Sequence, residues 1–204
     1  MIFGEPSERK LREKAMLEAG RLPPGQSLTL KWPVLHMGSV PRFDAASWDF
    51  QLKGLVDEPR RLTWDEFMLL PMKEVAADMH CVTRWSRFDV HWEGVPFVEV
   101  AKLVKLKPQA KYAMILAEQG YTSNLPLDDL MRPTTLFALK HNGEPLPPDH
   151  GYPVRLVVPH LYAWKSVKWV RGVEFMAEDA PGFWEGAGYN MYGDPFKEQR
   201  FSSL

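Results

Sequence analysis

The sequence predicts an α+β domain that is mostly mixed β-sheet, with short helices. The chain has 18 prolines in 204 residues, and because each proline fixes φ and removes a backbone donor, long helices are disfavoured. Two segments, YPVRLVVP and SVKWVRGVEFMA, are rich in the β-branched residues typical of strands. Asn142-Gly143, within TTLFALKHNGEPLP, is a strong short-range signal of a β-hairpin.

The first 43 residues predict a surface arm followed by a long loop. Ser7 is a suitable cap for a short polar helix that ends at Gly20. The segment RLPPGQSLTLKWPVLHMGSVPRF has too many prolines for regular structure. We therefore divide the chain into an N-terminal helical arm, residues 1–23, and one domain, residues 24–204.

The next segments predict strands that alternate with short helices. The alternation in WDFQLKGLV indicates a strand, and Thr63 and Glu66 have the spacing of a capping box before a helix that ends at Pro71. KEVAADMHC indicates a second strand, with Cys81 at its end. Pro96 then lies where a further helix begins.

The C-terminal half predicts further strands and an aromatic tail. KYAMILAEQGYTSNLPL indicates a strand and a turn, and LDDLMRP indicates a helical turn. After the two β-branched strands, the tail from Pro181 is rich in aromatic residues that we expect to pack over the body of the domain as a strap: Phe183, Trp184, Tyr189, Tyr192 and Phe196.

Composition excludes several classes of protein. Hydrophobic residues at 45% and charged residues at 25% are ordinary for a globular domain, and a net charge of −1 gives no general attraction to nucleic acid or anionic membranes. One cysteine excludes a disulfide framework, a Cys-rich zinc site and an iron–sulfur cluster held by this chain alone. No apolar run reaches the roughly 18 residues of a membrane span. The charged start has no apolar region of a signal peptide, so we expect a cytoplasmic protein.

Cys81 is the first candidate for chemistry, in DMHCVTRWSRFDVHWEGVPF, residues 78–97. Arg84 and Arg87 are expected to lower the pKa of its thiol, because a nearby cation stabilises the thiolate. A thiolate is either a nucleophile or a soft metal ligand. His80 and His91 could act as bases, but a histidine adjacent to Cys81 on a strand points to the opposite face. An inert, buried cysteine is the alternative interpretation.

A basic run, HGYPVRLVVPHLYAWKSVKWVRG, is the second candidate. Arg155, Lys165, Lys168 and Arg171 occur there without any acidic residue. The two lysines flank Ser166 in a predicted turn, where side chains and backbone N–H groups could converge on an anion such as a phosphate. A solvated basic face is the alternative. Together, the thiolate and the anion site favour a cofactor that contains both a soft metal and a phosphate.

At these residues the sequence resembles the sulfite oxidase family of molybdenum enzymes, especially short bacterial members related to the catalytic subunit of methionine sulfoxide reductase. The resemblance runs from about Pro24 to the C-terminus, through DMHCVTRWS, WEGVPF, GYTSNLPL, HGYPVRLVVP and KSVKWV in this order. It implies a sulfite oxidase-type molybdopterin-binding domain. It also implies molybdenum held by the dithiolene of one molybdopterin and by Cys81.

The resemblance also implies roles for individual residues. Cys81 is the implied metal ligand. Apart from the family pattern, the fixed positive charges of Arg84 and Arg87 make them catalytic candidates for drawing an oxyanion or sulfoxide substrate to the metal, and His91 is a further candidate for the substrate pocket. Eight positions are implied to bind the pterin or its phosphate: Leu35, His36, Ala117, His150, Arg155, Ser166, Val167 (through its backbone) and Lys168.

The function implied is oxygen-atom transfer on a small sulfur-containing or oxyanion substrate. Where sulfite oxidases have two adjacent arginines this chain has Trp85 and Ser86, so a sulfoxide reductase is the alternative. From another class, a metal-free enzyme with Cys81 as nucleophile, or an anion-binding module, stays open. The family's dimerisation domain has no counterpart here, so we expect a monomer that exchanges electrons with a separate donor or acceptor.

Overall fold

The computed structural model describes residues 7–202, and within this range two β-sheets with short helices form the fold, as the sequence predicted. The strands are β1 (Ser27–Leu28), β2 (Asp49–Gly54), β3 (Arg60–Thr63), β4 (Lys73–His80), β5 (Trp85–Pro96), β6 (Tyr112–Ala117), β7 (Thr122–Pro126), β8 (Leu136–His141), β9 (Glu144–Pro145), β10 (Arg155–Val157) and β11 (Val170–Met176). The helices are α1 (Glu8–Glu18), α2 (Trp64–Met68), α3 (Phe97–Ala101), α4 (Leu127–Leu130) and α5 (Phe183–Gly186).

The first sheet is organised around β5. This strand pairs antiparallel with β4 and β8 and parallel with β1, while β10 and β9 pair with β8. It was not among the predicted strands, although Ser86, Phe88, Val90 and Trp92 are buried at alternate positions. The charged residues between them are typical of the outer face of a strand, and because of them the alternating apolar pattern was not recognised in the sequence.

The second sheet has the order β3-β2-β11-β6-β7, with β2 parallel to β11 and the other neighbours antiparallel. The main core lies between the sheets and is rich in phenylalanine. Phe50 on β2 meets Phe137 on β8 with ring centroids 5.1 Å apart, and Phe97 on α3 stacks on Phe137 at 5.7 Å. Burial of these rings joins the two sheets and fixes where their edges meet.

The local signals read from the sequence are confirmed at several elements. Thr63 and Glu66 form the capping box of α2, and α3 begins directly after Pro96. Asn142 and Gly143 join β8 to β9, with φ of 51° and 83°. Strand β3 was missed, and so were β1 and β7, which lie in segments predicted as a loop and a turn. No helix in residues 7–202 is both long and apolar enough to cross a membrane.

The predicted N-terminal helix is present as α1, and none of its residues is buried. It lies against β1, because Glu13 accepts a hydrogen bond from the Leu28 N–H at 2.6 Å and Arg9 donates to the Leu28 carbonyl at 3.2 Å. The Ser7 side chain makes no capping hydrogen bond. Residues 1–6 of the predicted arm lie outside the described residues, and the boundary at residue 23 stays a prediction.

The C-terminal tail is attached to the body by a fully buried ion pair. Lys165 Nζ lies 2.5 Å from Glu185 Oε1 on α5, and neither side chain is exposed. Lys165 also donates to the carbonyl and side-chain oxygens of Asn124 at 2.8 Å, and Glu185 accepts from Trp164 Nε1 at 2.8 Å. This pair therefore fixes α5, and with it the predicted aromatic strap.

Replacing Glu185 should destabilise the fold strongly. Glu185→Gln leaves the Lys165 ammonium buried without a counter-charge, so we expect the free energy of unfolding in urea to fall by about 3–5 kcal/mol. Glu174→Gln is the matched control, because it removes an exposed pair with Lys53 and should change stability by less than about 1 kcal/mol. Equal stability of the two variants would contradict this account.

Candidate functional site

A cavity of about 330 Å³ lies where the end of β4 and a short 3-10 turn, Ala163–Lys165, meet the loop before β2 and the C-terminal tail after Pro181. Its wall contains most of the residues that the sequence analysis proposed for the cofactor and the metal: Leu35, His36, Cys81, His150, Arg155, Ser166, Val167 and Lys168. The fold therefore brings the cysteine and the basic run into one site, although they are about seventy residues apart in the sequence.

Cys81 directly follows β4 and begins a tight turn. Its N–H donates to the Trp85 carbonyl at 2.9 Å, and its own carbonyl accepts from the Arg84 N–H at 3.0 Å. The side chain is buried, and the Thr83 hydroxyl donates to Sγ at 3.2 Å. Burial raises the pKa of the thiol, while the Thr83 hydrogen bonds and then the charges of Arg200 and Lys168 oppose that rise.

These contacts correct the expectation that Arg84 and Arg87 favour the thiolate. Both lie outside the cavity wall, as does His91. Arg87 is half-buried, with its guanidinium 5.2 Å from the centroid of the Trp32 ring, and it donates to His141 Nε2 at 3.2 Å. The exposed His91 donates to Glu74 at 2.7 Å.

A register shift between Ala77 and Met79 pairs Arg87 with Met79 and so places it on the same face of β5 as the buried Val90 and Trp92. None of Arg84, Arg87 and His91 lines the cavity, so the structure does not support a substrate contact for them.

No histidine is hydrogen-bonded to Cys81 among the described residues. His80 is buried with Nδ1 2.8 Å from Ser86 Oγ. This arrangement agrees with the opposite orientation that adjacent positions on a strand predict.

The basic run divides into two groups. Arg155 and Lys168 lie on the wall, whereas Lys165 is turned into the pair with Glu185 described above. Arg171, on β11, pairs with Asp49 on β2 and with Glu118, directly after β6. The expectation that Lys165 and Lys168 converge on one anion is therefore corrected, because Lys165 already has a carboxylate partner.

Arg155 and Lys168 are held by carbonyl groups instead of carboxylates. Lys168 Nζ donates to the carbonyls of Leu35 at 2.9 Å and Asp149 at 2.7 Å, and Arg155 donates to those of His150 at 3.0 Å and Ser166 at 2.9 Å. Burial, followed by the charge of Arg155, lowers the pKa of Lys168 to about 7. Burial lowers the pKa of Arg155 to about 9. An anion in the cavity would reverse both effects.

The segment around Ser166 presents free donors. Ser166 Oγ accepts from the Val158 N–H at 2.9 Å, which leaves its hydroxyl proton available. The N–H groups of Val167 and Lys168 donate to no atom in residues 7–202. Two buried nitrogens beside them, His150 Nδ1 and Arg155 Nε, likewise have no partner in the described chain. Such a group of unsatisfied donors suits a polar, anionic ligand.

Trp32 was missed by the sequence analysis. Its ring stacks on His150 with centroids 3.6 Å apart and on His141 at 4.3 Å. Burial is the main cause that lowers the pKa of both histidines to about 4, so both are neutral at pH 7. A tryptophan in a proline-rich loop gives no periodic signal, and only the tertiary fold brings it to the wall.

The remaining wall comes from the tail and from the end of β6. Trp184 and Tyr189 line the cavity together with Trp164, as expected for an aromatic strap. Ala117 does not line the cavity, which corrects its proposed contact with the pterin. Its N–H donates to the Tyr121 carbonyl at 2.9 Å at the end of the strand, and the following residue, Glu118, is on the wall instead.

Sequence comparison finds a family and close relatives. Residues 37–184 match the family described as oxidoreductase molybdopterin binding domain. The chain is 50% identical to the uncharacterized oxidoreductase YuiH of Bacillus subtilis. The alignment of 186 residues covers 91% of this chain and 94% of that protein. These matches confirm the resemblance on which the proposed site residues were based.

More distant relatives are methionine sulfoxide reductases. The catalytic subunits MsrP of Gluconobacter oxydans and Ralstonia nicotianae are 30% and 29% identical, over 74% and 72% of this chain. The chain spans only about half of their length, 54% and 49%. The sulfane dehydrogenase SoxCD from Paracoccus pantotrophus has a similar fold, with a TM-score of 0.62 and 22% identity over 68% of this chain and 40% of that one.

The neutral histidines predict a pH dependence of stability. Between pH 6.5 and about 4 the unfolded chain binds protons that the folded His150 does not bind, so stability should fall as the pH is lowered through this window. We expect His150→Gln to reduce this slope in urea unfolding of protein purified without cofactor. The control His91→Gln replaces an exposed histidine and should keep the wild-type slope. Equal slopes for His150→Gln and the wild type would contradict the assignment.

Proposed function

The chain belongs to the family of molybdopterin-binding oxidoreductase domains, and from this premise we propose that it uses a molybdenum cofactor to transfer an oxygen atom to or from a small sulfur-containing or oxyanion substrate. That it is an oxidoreductase enzyme follows from the family and its relatives. One observation carries the finer proposal. The only cysteine of the chain shares its cavity with a cluster of unsatisfied donors.

The residues present suit this cofactor. A thiolate is a suitable ligand for a soft or high-valent metal, and binding to a metal deprotonates a thiol outright. Arg155 and Lys168 are cations without a carboxylate within 4 Å among the described residues, which suits a phosphate. The volume of about 330 Å³ is within the range of roughly 300–1,000 Å³ that is usual for ligand sites.

Each residue then has a definite task. Cys81 would hold the metal, and Lys168 with the backbone N–H of Val167 would hold the phosphate. His150 and Arg155 would orient the pterin through their free nitrogens. When bound, the cofactor supplies two-electron redox chemistry coupled to oxygen-atom transfer. The aromatic wall would limit the access of water to the bound cofactor, which would strengthen these electrostatic contacts.

A second candidate, reduction of a sulfoxide, is favoured by one observation. Arg84 and Arg87, the cations expected to attract an oxyanion, lie outside the wall, and the wall carries Met37, Met79 and several tryptophans instead. With the cations of the wall assigned to the phosphate and the pterin, this apolar part of the wall suits a neutral sulfoxide better than the sulfite anion. Similarity to methionine sulfoxide reductase subunits supports the same direction.

The metal-free alternatives have less support. A cysteine nucleophile needs a base in hydrogen-bond contact, whereas Cys81 Sγ contacts the Thr83 hydroxyl and its pKa is raised by burial. An anion-binding module would use Lys168 and Arg155, and the buried thiol of Cys81 would then have no functional role. The separate electron partner, the monomeric state and the cytoplasmic location stay predictions.

Loss of the thiol should remove the metal. Cys81→Ser is nearly isosteric, so we expect a folded protein that contains less than about a tenth of the wild-type molybdenum and has no detectable turnover. The measurement is metal analysis with pterin fluorescence, on protein from a host that makes the cofactor. His91→Gln is the control and should keep both metal and turnover. Full molybdenum content in Cys81→Ser would contradict the proposal.

The direction of the reaction is decided separately. Sulfoxide loss driven by a reduced dye, without sulfite-driven reduction of an acceptor, would establish the reductase. The opposite pattern would establish an oxidase. Stoichiometric alkylation of Cys81 at neutral pH in a metal-free wild-type protein from the same host would instead favour the cysteine nucleophile.

A further inference from the structure

Arg200, near the end of the tail, reaches the turn that carries Cys81. Its Nη1 donates to the Val82 carbonyl at 2.6 Å, and its Nη2 lies 3.4 Å from the Pro24 carbonyl. The guanidinium lies over the ring of Tyr162, 5.0 Å from the ring centroid. Only 7% of the residue is exposed. A residue almost 120 positions after the cysteine in the sequence is therefore part of the structure that holds the cysteine.

The charge of Arg200 is poorly balanced by the protein. Its carboxylate partner in the described chain is Glu198, at 3.7 Å, and the Glu198 side chain is 47% exposed. The Nε atom of Arg200 is buried and has no acceptor in residues 7–202. Burial of a cation is costly unless an anion compensates it. The turn that Arg200 contacts contains one group able to become an anion, the Cys81 thiol.

We propose that Arg200 is a positioning residue for the metal centre: it holds the Cys81 turn in place and supplies the fixed positive charge that balances the thiolate once the metal is bound. The inference rests on the proposed function. It assigns to Arg200 the stabilisation of the Cys81 thiolate, which the sequence analysis had assigned to Arg84 and Arg87. The matched family region ends at residue 184, so Arg200 lies beyond it.

A second contact on the same turn supports this assignment. The carbonyl of Cys81 itself is held by Gln26 Nε2 at 2.9 Å. Two side chains from opposite ends of the chain thus bind successive carbonyls of the turn. Removal of Arg200 would leave the Gln26 contact, so the turn would loosen without unfolding the domain.

The test compares holoenzymes of the wild type, Arg200→Gln, Arg200→Lys and the control Lys197→Gln. Lys197 is on the same tail, is exposed and pairs with Asp194, so its replacement removes the same charge without touching the turn. For each protein, molybdenum and pterin per chain are measured after dialysis, with the sulfur-to-metal absorption band and the reduction potential of the metal.

We expect Arg200→Gln to retain about tenfold less molybdenum than the wild type, as for other residues that support a metal ligand. In the loaded fraction the absorption band should shift and the reduction potential should fall, because a nearby cation stabilises the reduced, more negative state. Arg200→Lys should restore the reduction potential but not the full molybdenum content, because lysine keeps the positive charge but lacks the planar guanidinium that donates several hydrogen bonds. Lys197→Gln should match the wild type.

The proposal is overturned if Arg200→Gln matches Lys197→Gln in molybdenum content, absorption band and potential. Where Arg200→Gln does not fold, Arg200→Lys decides, and wild-type molybdenum retention by that variant overturns the positioning role. A wild type without molybdenum and pterin would refute the proposed function itself. That result is distinct from failure of the Arg200 assignment, which requires a loaded wild type.

Discussion

The turn from Cys81 to Trp85 is the constraint on which the site depends. The Cys81 N–H bonds to the Trp85 carbonyl where β4 passes into β5, so the pairing of these strands fixes the thiol at one edge of the first sheet. Gln26 and Arg200 then hold the carbonyls of the turn from two distant segments. Because β5 also pairs with β1 and β8, any change in its register would move the thiol and the opposite wall together.

The cavity owes its chemistry to charges that are buried without carboxylates. Arg155 and Lys168 donate to backbone carbonyls, whereas Lys165 and Arg171, from the same basic run, have carboxylate partners. The first group has a positive charge that the protein leaves uncompensated, and the second serves the fold. Cations in a water-poor pocket attract an anion more strongly than the same cations at the surface, because the local dielectric is low. This division separates the cations that are available to a ligand from those already engaged in ion pairs within the fold.

Local patterns in the sequence predicted the parts of the fold that depend on neighbouring residues. The capping box at Thr63, the hairpin at Asn142-Gly143 and the helix after Pro96 are such cases. The pattern also located Cys81 and the basic run, and the family resemblance supplied His150, Arg155 and Lys168. Sequence patterns failed where tertiary contacts determine which side chains reach the site. Adjacency to Cys81 suggested Arg84 and Arg87, yet neither lines the cavity and Arg87 packs on Trp32 instead. Arg200 and Trp32 reach the site only through the fold.

The central claim is that Cys81 is the protein ligand of the metal. X-ray absorption at the molybdenum edge of the purified holoenzyme tests it most directly, because the method counts the sulfur atoms bound to the metal. The account predicts sulfur from the dithiolene and one further sulfur in the wild type, and the loss of that one sulfur in metal-reconstituted Cys81→Ser. The same sulfur count in both proteins would contradict the claim.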